Sequence, residues 1–386
     1  MKPASRAVHA GRQLGARAPL APDLSPAAVH VYTDLEDYDA VARGERPGYY
    51  YGRNSNLNRE MLEKAVAELE GAEAGVATGT GMSALHQAIL ALAPKPCTIV
   101  ATRELYGGTA ALLRQDLEPL GYEAHFVDLT DLEAAHRAIE GAGLVLAETI
   151  TNPLCRVPDL GAIASMARER GAPLLVDNTF ATPVFCRPLE LGATVVMHSV
   201  TKYLGGHSDL VAGVIAGSAK TMGAARVRSV RTGTTLSPFD AWLALRGLRT
   251  LDVRMRRHSE NSLALAHAMQ SMPGVARVHH PLLPGSPSFA VAHRLLPDGS
   301  GGMMAFDLEG GRAAVQRMLE RFKLVTFAAS LGGVETTISY PEITSHRSMT
   351  PEERAELGVG SGTVRVSVGI EDPADIIADF NQALAK

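Results

Sequence analysis

Short apolar runs alternate with stretches of helical period through the middle of the chain, and this alternation constrains the fold more than any other feature. The runs fall at residues 75–78, 98–101, 125–127, 144–147, 174–176, 194–197 and 211–216, with turn formers around them. Between them, residues 82–92, 131–140 and 160–170 carry apolar side chains three and four apart, the spacing of one helix face. A continuously apolar strand has both faces buried, and parallel neighbours need a long crossover, usually a helix. The pattern therefore predicts an α/β fold with a mostly parallel sheet covered by helices. Ahead of it, Met61, Leu62, Ala65, Val66 and Leu69 form a helical stripe that should end near Gly71. The first 50 residues are rich in Pro, Tyr and turn formers and read as an arm or loop segment.

Past residue 250 the texture loosens. One long helical pattern covers about 241–272. Apolar runs at 275–278, 302–308, 325–327 and 363–368 follow, with a helix near 312–321. Pro281, Pro284 and Pro287 mark a loop. Strands mixed with helices predict a smaller α+β domain. The expected division is an N-terminal arm over 1–54, an α/β domain over 55–250 and the α+β domain over 251–386.

Composition narrows the function. Hydrophobic residues make up 46% of the 386, enough to bury a large core and exclude disorder as the main state. With 41 acidic against 37 basic side chains the formal charge is −4, which suggests neither a nucleic-acid nor an acidic-membrane partner. No run approaches the roughly 20 apolar residues of a membrane helix. Cys97, Cys155 and Cys186 match no disulfide framework and no metal signature, so no metal is expected and a reducing, cytoplasmic location fits. Residues 1–22 hold Lys2, Arg6, Arg12 and Arg17 and no acid, a loose imitation of a transit peptide. An arm on a cytoplasmic protein is the preferred reading.

Five segments carry candidate chemistry, four of them in the α/β region and its approach. Thr78-Gly79-Thr80-Gly81-Met82-Ser83 lies between a strand and a helix, where free N–H groups and the helix dipole suit an anion. The same glycines also serve a purely steric turn. The spacing departs from the dinucleotide fingerprint. In Leu174-Leu175-Val176-Asp177-Asn178-Thr179, an acid follows a buried strand directly. Such an Asp can hold a metal, a ribose or a protonated ring nitrogen, or simply cap a turn. In His198-Ser199-Val200-Thr201-Lys202-Tyr203-Leu204-Gly205-Gly206, Ser199 and Thr201 can face a phosphate, and Lys202 can enter the same crevice. A lysine among apolar walls and cations loses its proton and becomes a nucleophile toward carbonyls. Most lysines, however, are solvated.

The fourth segment is Pro47-Gly48-Tyr49-Tyr50-Tyr51-Gly52-Arg53-Asn54, where Arg53 beside tyrosines suits a phosphate or carboxylate, or an oligomer contact. The fifth is Thr363-Val364-Arg365-Val366-Ser367, an arginine within an apolar strand. Arg365 needs a partner there, either an internal acid or a substrate carboxylate. A phosphate cradle, an Asp, a Lys and a carboxylate-binding Arg together fit one cofactor, pyridoxal 5'-phosphate, acting on an amino acid.

Ser199 through Gly213, with Val176–Phe180, Tyr51 to Asn54 and Ser330 to Glu335, resembles the Cys/Met-metabolism family of pyridoxal-phosphate enzymes. The likeness runs from Ala7-Val8-His9-Ala10-Gly11 to Ser367-Val368-Gly369-Ile370-Glu371-Asp372, which argues against a cleaved leader. It implies the type I pyridoxal-phosphate fold, similar to aspartate aminotransferase. By this resemblance Lys202 would carry the cofactor as a Schiff base, and Asp177 would pair with the pyridine nitrogen. Gly81 and Met82 backbone, with the Ser199 and Thr201 hydroxyls, would hold the phosphate. Tyr51 and Arg53 would reach that phosphate from a neighbouring subunit, in a homotetramer built as a dimer of dimers. Tyr106 would stack on the ring and assist proton transfer. Asn152 would contact the ring hydroxyl or the substrate carboxylate. Arg365, with Ser330 and Leu331, would grip the α-carboxylate, and Glu335 would face a distal amino group or form a structural ion pair.

The resemblance implies carbon–sulfur chemistry at Cγ. Cystathionine γ-lyase is the first reading, and γ-replacement on an acylated homoserine, as in cystathionine γ-synthase, is the close alternative. Methionine or homocysteine γ-lyase comes next, and a catalytically silent regulatory protein is the outsider. Two departures bear on this choice. Ala111 stands where many cystathionine-handling relatives place an arginine, with Arg114 a turn further on. Gly108 stands where methionine γ-lyases usually carry cysteine, and Ser229 and Val230 stand near their Lys-Asp pair.

Overall fold

The structure, a computed structural model, describes residues 1–12, 19–347 and 349–385. Arg17 lies outside them. Among the described residues two sheets form. The larger holds β1 (Ala74–Thr78), β2 (Thr98–Thr102), β3 (Glu123–Val127), β4 (Leu144–Glu148), β5 (Leu174–Asp177), β6 (Val195–Ser199) and β7 (Gly213–Gly217). Their order is β1-β7-β6-β5-β4-β2-β3. Only β7 is reversed, antiparallel to both β1 and β6. The mostly parallel sheet expected from the apolar runs is present.

Alternate residues explain why those runs are continuous. Val100, Val145, Ala147, Leu174 and Val176 belong to one buried cluster. Ile99, Ala101, Leu144, Leu146 and Leu175 belong to the cluster on the other face. Burial on both faces removes the polar alternation that an exposed face would need. The helix Leu57–Glu70, capped by the Asn56 side chain and stopping before Gly71, packs in the first cluster; Gly81–Leu92 packs in the second.

The second sheet has the order β10-β11-β12-β9-β8, formed by β8 (Val275–His279), β9 (Met303–Leu308), β10 (Thr326–Phe327), β11 (Thr337–Ser339) and β12 (Thr363–Ser367). Phe306, Ile338, Val364, Val366 and Phe380 fill its core.

Several boundaries differ from the sequence reading. The single long helix of 241–272 is two helices, Pro238–Leu248 and Leu251–Met269. Arg254, from the second, donates to the Gly247 carbonyl at 2.8 Å and to the Tyr203 carbonyl at 2.7 Å. A buried guanidinium thus satisfies the Gly247 carbonyl in the last turn before the break. The strand expected at 211–216 begins two residues later, because Ala212 is bonded to Thr201. The first 50 residues contain short helices, Pro3–His9 and Leu35–Ala42. Helices Ala219–Thr232 and Pro373–Leu384, and the three-residue β11, escaped the periodicity altogether.

Candidate active site

A cavity of about 480 Å³ opens where the C-terminal ends of β4, β5 and β6 face the second sheet. Open α/β sheets bind ligands at this edge. Gly81, Met82, Tyr106, Asn152, Asp177, Ser199, Thr201, Lys202, Ser330, Leu331 and Arg365 all line it.

Lys202 projects from a tight turn after β6, in which its N–H donates to the Ser199 carbonyl at 3.1 Å and its carbonyl accepts from Gly206 at 2.7 Å. Its Nζ donates to Ser330 Oγ at 2.5 Å. Burial, with repulsion from Arg365, lowers the ammonium to about 8. This is a lysine drawn into a crevice, not one left in solvent. A fraction of it is a free amine near neutral pH, as nucleophilic and proton-transfer roles require.

Asp177 closes β5. Its Oδ1 accepts from the Thr179 N–H at 2.9 Å and from the Thr179 hydroxyl at 2.5 Å. Burial raises its proton affinity, and the two Thr179 bonds oppose that rise. The turn-capping role and a place in the cavity lining therefore coexist in one side chain. Thr179 Oγ1 also accepts the Ser199 N–H at 2.9 Å, tying β5 to β6.

The anion end is built at the start of the Gly81–Leu92 helix. Thr80 takes the Ser83 N–H on its hydroxyl at 2.9 Å and the Ala84 N–H on its carbonyl at 3.1 Å. The N–H groups of Gly81 and Met82, first in the helix, stay available to an anion in the cavity. A Cβ at Gly81 would lie 2.9 Å from Ser199 Oγ, inside the cradle itself. The Thr201 hydroxyl donates to the Ala212 carbonyl at 3.2 Å, so it must turn away to meet a phosphate.

Arg365 sits on β12, 5% exposed. It donates to Asn152 Oδ1 at 3.1 Å and to the Ser330 carbonyl at 3.2 Å. Neither acceptor is a carboxylate, so the guanidinium keeps its charge for a bound one.

Three predicted residues stand outside the cavity of their own chain. Tyr51 is exposed, and Arg53 lies over its ring at 5.3 Å while donating to the Val230 carbonyl at 2.8 Å. Glu335 is exposed, near Ser208 and Gly333. The cavity also contains residues that the sequence reading gave no role. Glu148 ends β4 as Asp177 ends β5, so the same rule of an acid after an apolar strand points to it. Ser339, Ile343, Thr344 and Ser345 line the opposite wall. Their segment has no periodicity to announce it.

A lysine of lowered proton affinity, an aspartate at a strand end, a helix-start anion cradle and a buried arginine fit pyridoxal phosphate and an amino acid. The class is a pyridoxal-phosphate-dependent enzyme of the α/β type. The chain belongs to the family described as Cys/Met metabolism PLP-dependent enzyme, which its residues 4–385 match. It is 39% identical to the L-methionine gamma-lyase of Pseudomonas putida over 99% of this chain and 96% of that protein. It is 40% identical to the cystathionine gamma-lyase of Bacillus subtilis, over 92% of this chain and 94% of that one. The crystal structure of cystathionine gamma synthase from Xanthomonas oryzae pv. oryzae superposes with a TM-score of 0.93 at 37% identity, covering 100% of this chain and 98% of that chain. The substrate is thus a small molecule, an amino acid. Among the described residues no helix is long and apolar enough to cross a membrane.

Proposed function

We propose that this enzyme breaks the carbon–sulfur bond at Cγ of a sulfur amino acid, with cystathionine γ-lyase chemistry as the first reading. Cystathionine and water would give cysteine, 2-oxobutanoate and ammonia. The observation that carries the reading is that Lys202 Nζ and the Arg365 guanidinium both meet Ser330 in the crevice that Asp177 also lines. Bound pyridoxal phosphate supplies the electron sink for charge developing at Cα. Asp177 keeps the pyridine nitrogen protonated, and Gly81, Met82, Ser199 and Thr201 hold the phosphate. Arg365 grips the α-carboxylate, with Ser330 and Leu331 beside it. Lys202 moves protons at Cα and Cβ with its amine, and Tyr106 and Asn152 orient the ring.

Tyr51 and Arg53 would complete the phosphate site of a neighbouring subunit, within a homotetramer. Their position outside their own cavity supports this sharing. The chain would divide into the arm 1–54, the cofactor domain 55–250 and the domain 251–386. Three free cysteines fit a reducing cytoplasm.

A second reading, elimination from methionine or homocysteine, draws support from Ala111 and Arg114. Arg114 lies over the Phe126 ring at 4.5 Å and 3.6 Å from Glu353, away from the cavity. A panel of cystathionine, methionine, homocysteine, cysteine and acylated homoserines, scored for keto acid and for new thioether, tests both. Thioether formation without keto acid would replace the lyase by a γ-synthase.

A further inference from the structure

Glu148 is a carboxyl in the crevice to which the proposed chemistry gives no task. It is 7% exposed and lines the cavity. Across the parallel pair β4–β5 its Cα partner is Asp177. Paired residues of neighbouring strands send their side chains to the same face, so the two carboxyls stand side by side. Glu148 Oε1 accepts the backbone N–H of Tyr106 at 2.8 Å. The titratable and charged groups that face it are Asp177 from β5, Glu104 beyond β2, Cys155 beyond β4 and Arg365 from β12.

Two carboxylates at adjacent positions in a buried wall cannot both ionise freely, and one of them keeps a proton. Asp177 has the stronger claim to the charge, because Thr179 gives one of its oxygens two hydrogen bonds. Burial, and then Asp177, push Glu148 well above the usual carboxylate range; the backbone N–H groups of Tyr106 and Asn152 only partly oppose them.

We propose that Glu148 is a positioning residue that works as a neutral carboxylic acid: it anchors the Tyr106 turn through its backbone N–H and leaves the negative charge facing the pyridine nitrogen to Asp177. The turn is clamped from the other side by the second domain's loop. A Cβ on Gly107 would lie 1.8 Å from the Ser345 carbonyl oxygen, so that carbonyl packs directly on the backbone. Held at both faces, the start of the Gly107–Ala111 helix fixes where the Tyr106 ring can go. The neutral state matters for the neighbour. Each carboxylate raises the proton affinity of the other. An ionised Glu148 would draw a proton onto Asp177 and weaken the group that must keep the pyridine nitrogen protonated.

The benefit to Asp177 rests on pyridoxal phosphate occupying this cavity, whereas the protonation of Glu148 is a property of the chain alone. The infrared difference between the cofactor-free wild type and Glu148→Gln in D₂O reads it directly. The expected difference is loss of one carboxylic-acid C=O stretch in the variant. Loss of a carboxylate band instead overturns the neutral state. The anchoring role is read by comparing Glu148→Gln, which keeps an acceptor for the Tyr106 N–H, with Glu148→Leu, which strands it. The Leu variant should bind pyridoxal phosphate and turn over amino acid less well than the Gln variant, by about 5 to 150-fold. Equal losses in the two variants, both folded by circular dichroism, overturn the anchoring role. The absorption of the bound cofactor should titrate at the same pH in Glu148→Gln as in the wild type. A displacement of about one unit or more would mean that a charge had been removed, and it overturns the proposal. Failure of the wild type to bind pyridoxal phosphate would instead count against the cofactor reading and leave the infrared result standing.

Discussion

Lys202 Nζ donates a hydrogen bond of 2.5 Å to Ser330 Oγ, so the turn after β6 and the loop before β11 meet at one amine. Ser330 holds φ at 84°, a region that residues other than glycine seldom occupy. Its two ends are both engaged, the hydroxyl by Lys202 and the carbonyl by Arg365. The serine therefore registers the loop before β11 and the Arg365 strand against the Lys202 amine. Accepting a bond from the ammonium favours the charged form of Lys202. Ser330→Ala should lower the pH at which cofactor uptake by the free enzyme is half-maximal, by about 0.5–1 unit. An unchanged midpoint would separate Ser330 from the charge state of Lys202.

The lysine itself gives a pH profile with a definite sign. Its ammonium sits at about 8, below the ordinary lysine value of 10.5. The rate of cofactor capture should climb about tenfold per pH unit below that point and level off above it. Continued climbing to the ordinary lysine value would show that burial does not depress it. Stability follows the same group, in the same sense as a paired carboxylate whose folded value is depressed. Between about 8 and 10.5 the unfolded chain holds more protons at this site than the folded chain, so folding stability from Lys202 rises with pH. Lys202→Ala should remove that slope, abolish the visible absorption of the bound cofactor and reduce turnover by about 10²–10⁴-fold or more.

Assembly is tested by mixing damaged chains. Arg53 and Tyr51 lie outside their own chain's cavity, while Lys202 lies inside it. Coexpressed Arg53→Ala and Lys202→Ala chains should regain activity in hybrid oligomers, because one shared site then receives both an intact arginine and an intact lysine. Hybrids that form, as seen by tag-selective purification, and stay inactive would place the whole site within one chain.

Beneath the site, His198 Nε2 lies 2.6 Å from Glu70 Oε1, and both side chains are fully buried. Asn178 Nδ2 reaches the same oxygen at 3.0 Å, and Asn178 Oδ1 accepts from the Thr149 hydroxyl at 2.7 Å. His198 and Asn178 directly precede Ser199 and follow Asp177, so this network sets the strands that aim two site residues. Removing one partner of a buried pair leaves the other unpaired, at about 3–5 kcal/mol. Glu70→Ala should cost that much in urea unfolding, and Glu70→Leu combined with His198→Leu should recover a large part of it. A loss below about 1 kcal/mol for Glu70→Ala would mean that water replaces the pair.

The legible part of this molecule is the part written locally. Apolar runs gave the parallel strands because burial on both faces leaves no polar alternation. Asp177, Lys202 and the Gly81 turn were readable because each closes or follows such a run. Glu148 obeyed the same rule, yet its meaning came from register: only the pairing of β4 with β5 sets it against Asp177. Ser330 was legible only through the family resemblance. Ser339 was harder still: its position depends on the second sheet folding back onto the first, and the three-residue strand that holds it carries no period. The break between Leu248 and Leu251 was hard to read because Gly247 alone is a weak signal, and the arginine that satisfies its carbonyl, Arg254, is also held by the Tyr203 carbonyl 51 residues away.

Selectivity toward the far end of the substrate turns on Ala111 and Arg114. Ala111 is half-buried at the end of the short helix that Tyr106 begins, while Arg114 is held outside the cavity by Phe126 and Glu353. Among the described residues, that turn gives a distal carboxylate no cation within the cavity lining. A charge-assisted contact is worth about 1.5–3 kcal/mol, or about 10 to 150-fold in kcat/KM. Ala111→Arg should raise kcat/KM for cystathionine relative to homocysteine within that range, even if crowding beside Tyr106 lowers both. Arg114→Ala should change the two substrates equally, because its guanidinium is already engaged elsewhere. A selective loss of cystathionine activity in Arg114→Ala would mean that this arginine leaves Phe126 to bind the distal carboxylate, and would favour the cystathionine lyase reading directly. If Ala111→Arg brings no relative gain and Arg114→Ala affects both substrates alike, the natural leaving group carries no carboxylate, and elimination from methionine or homocysteine becomes the better description of the reaction.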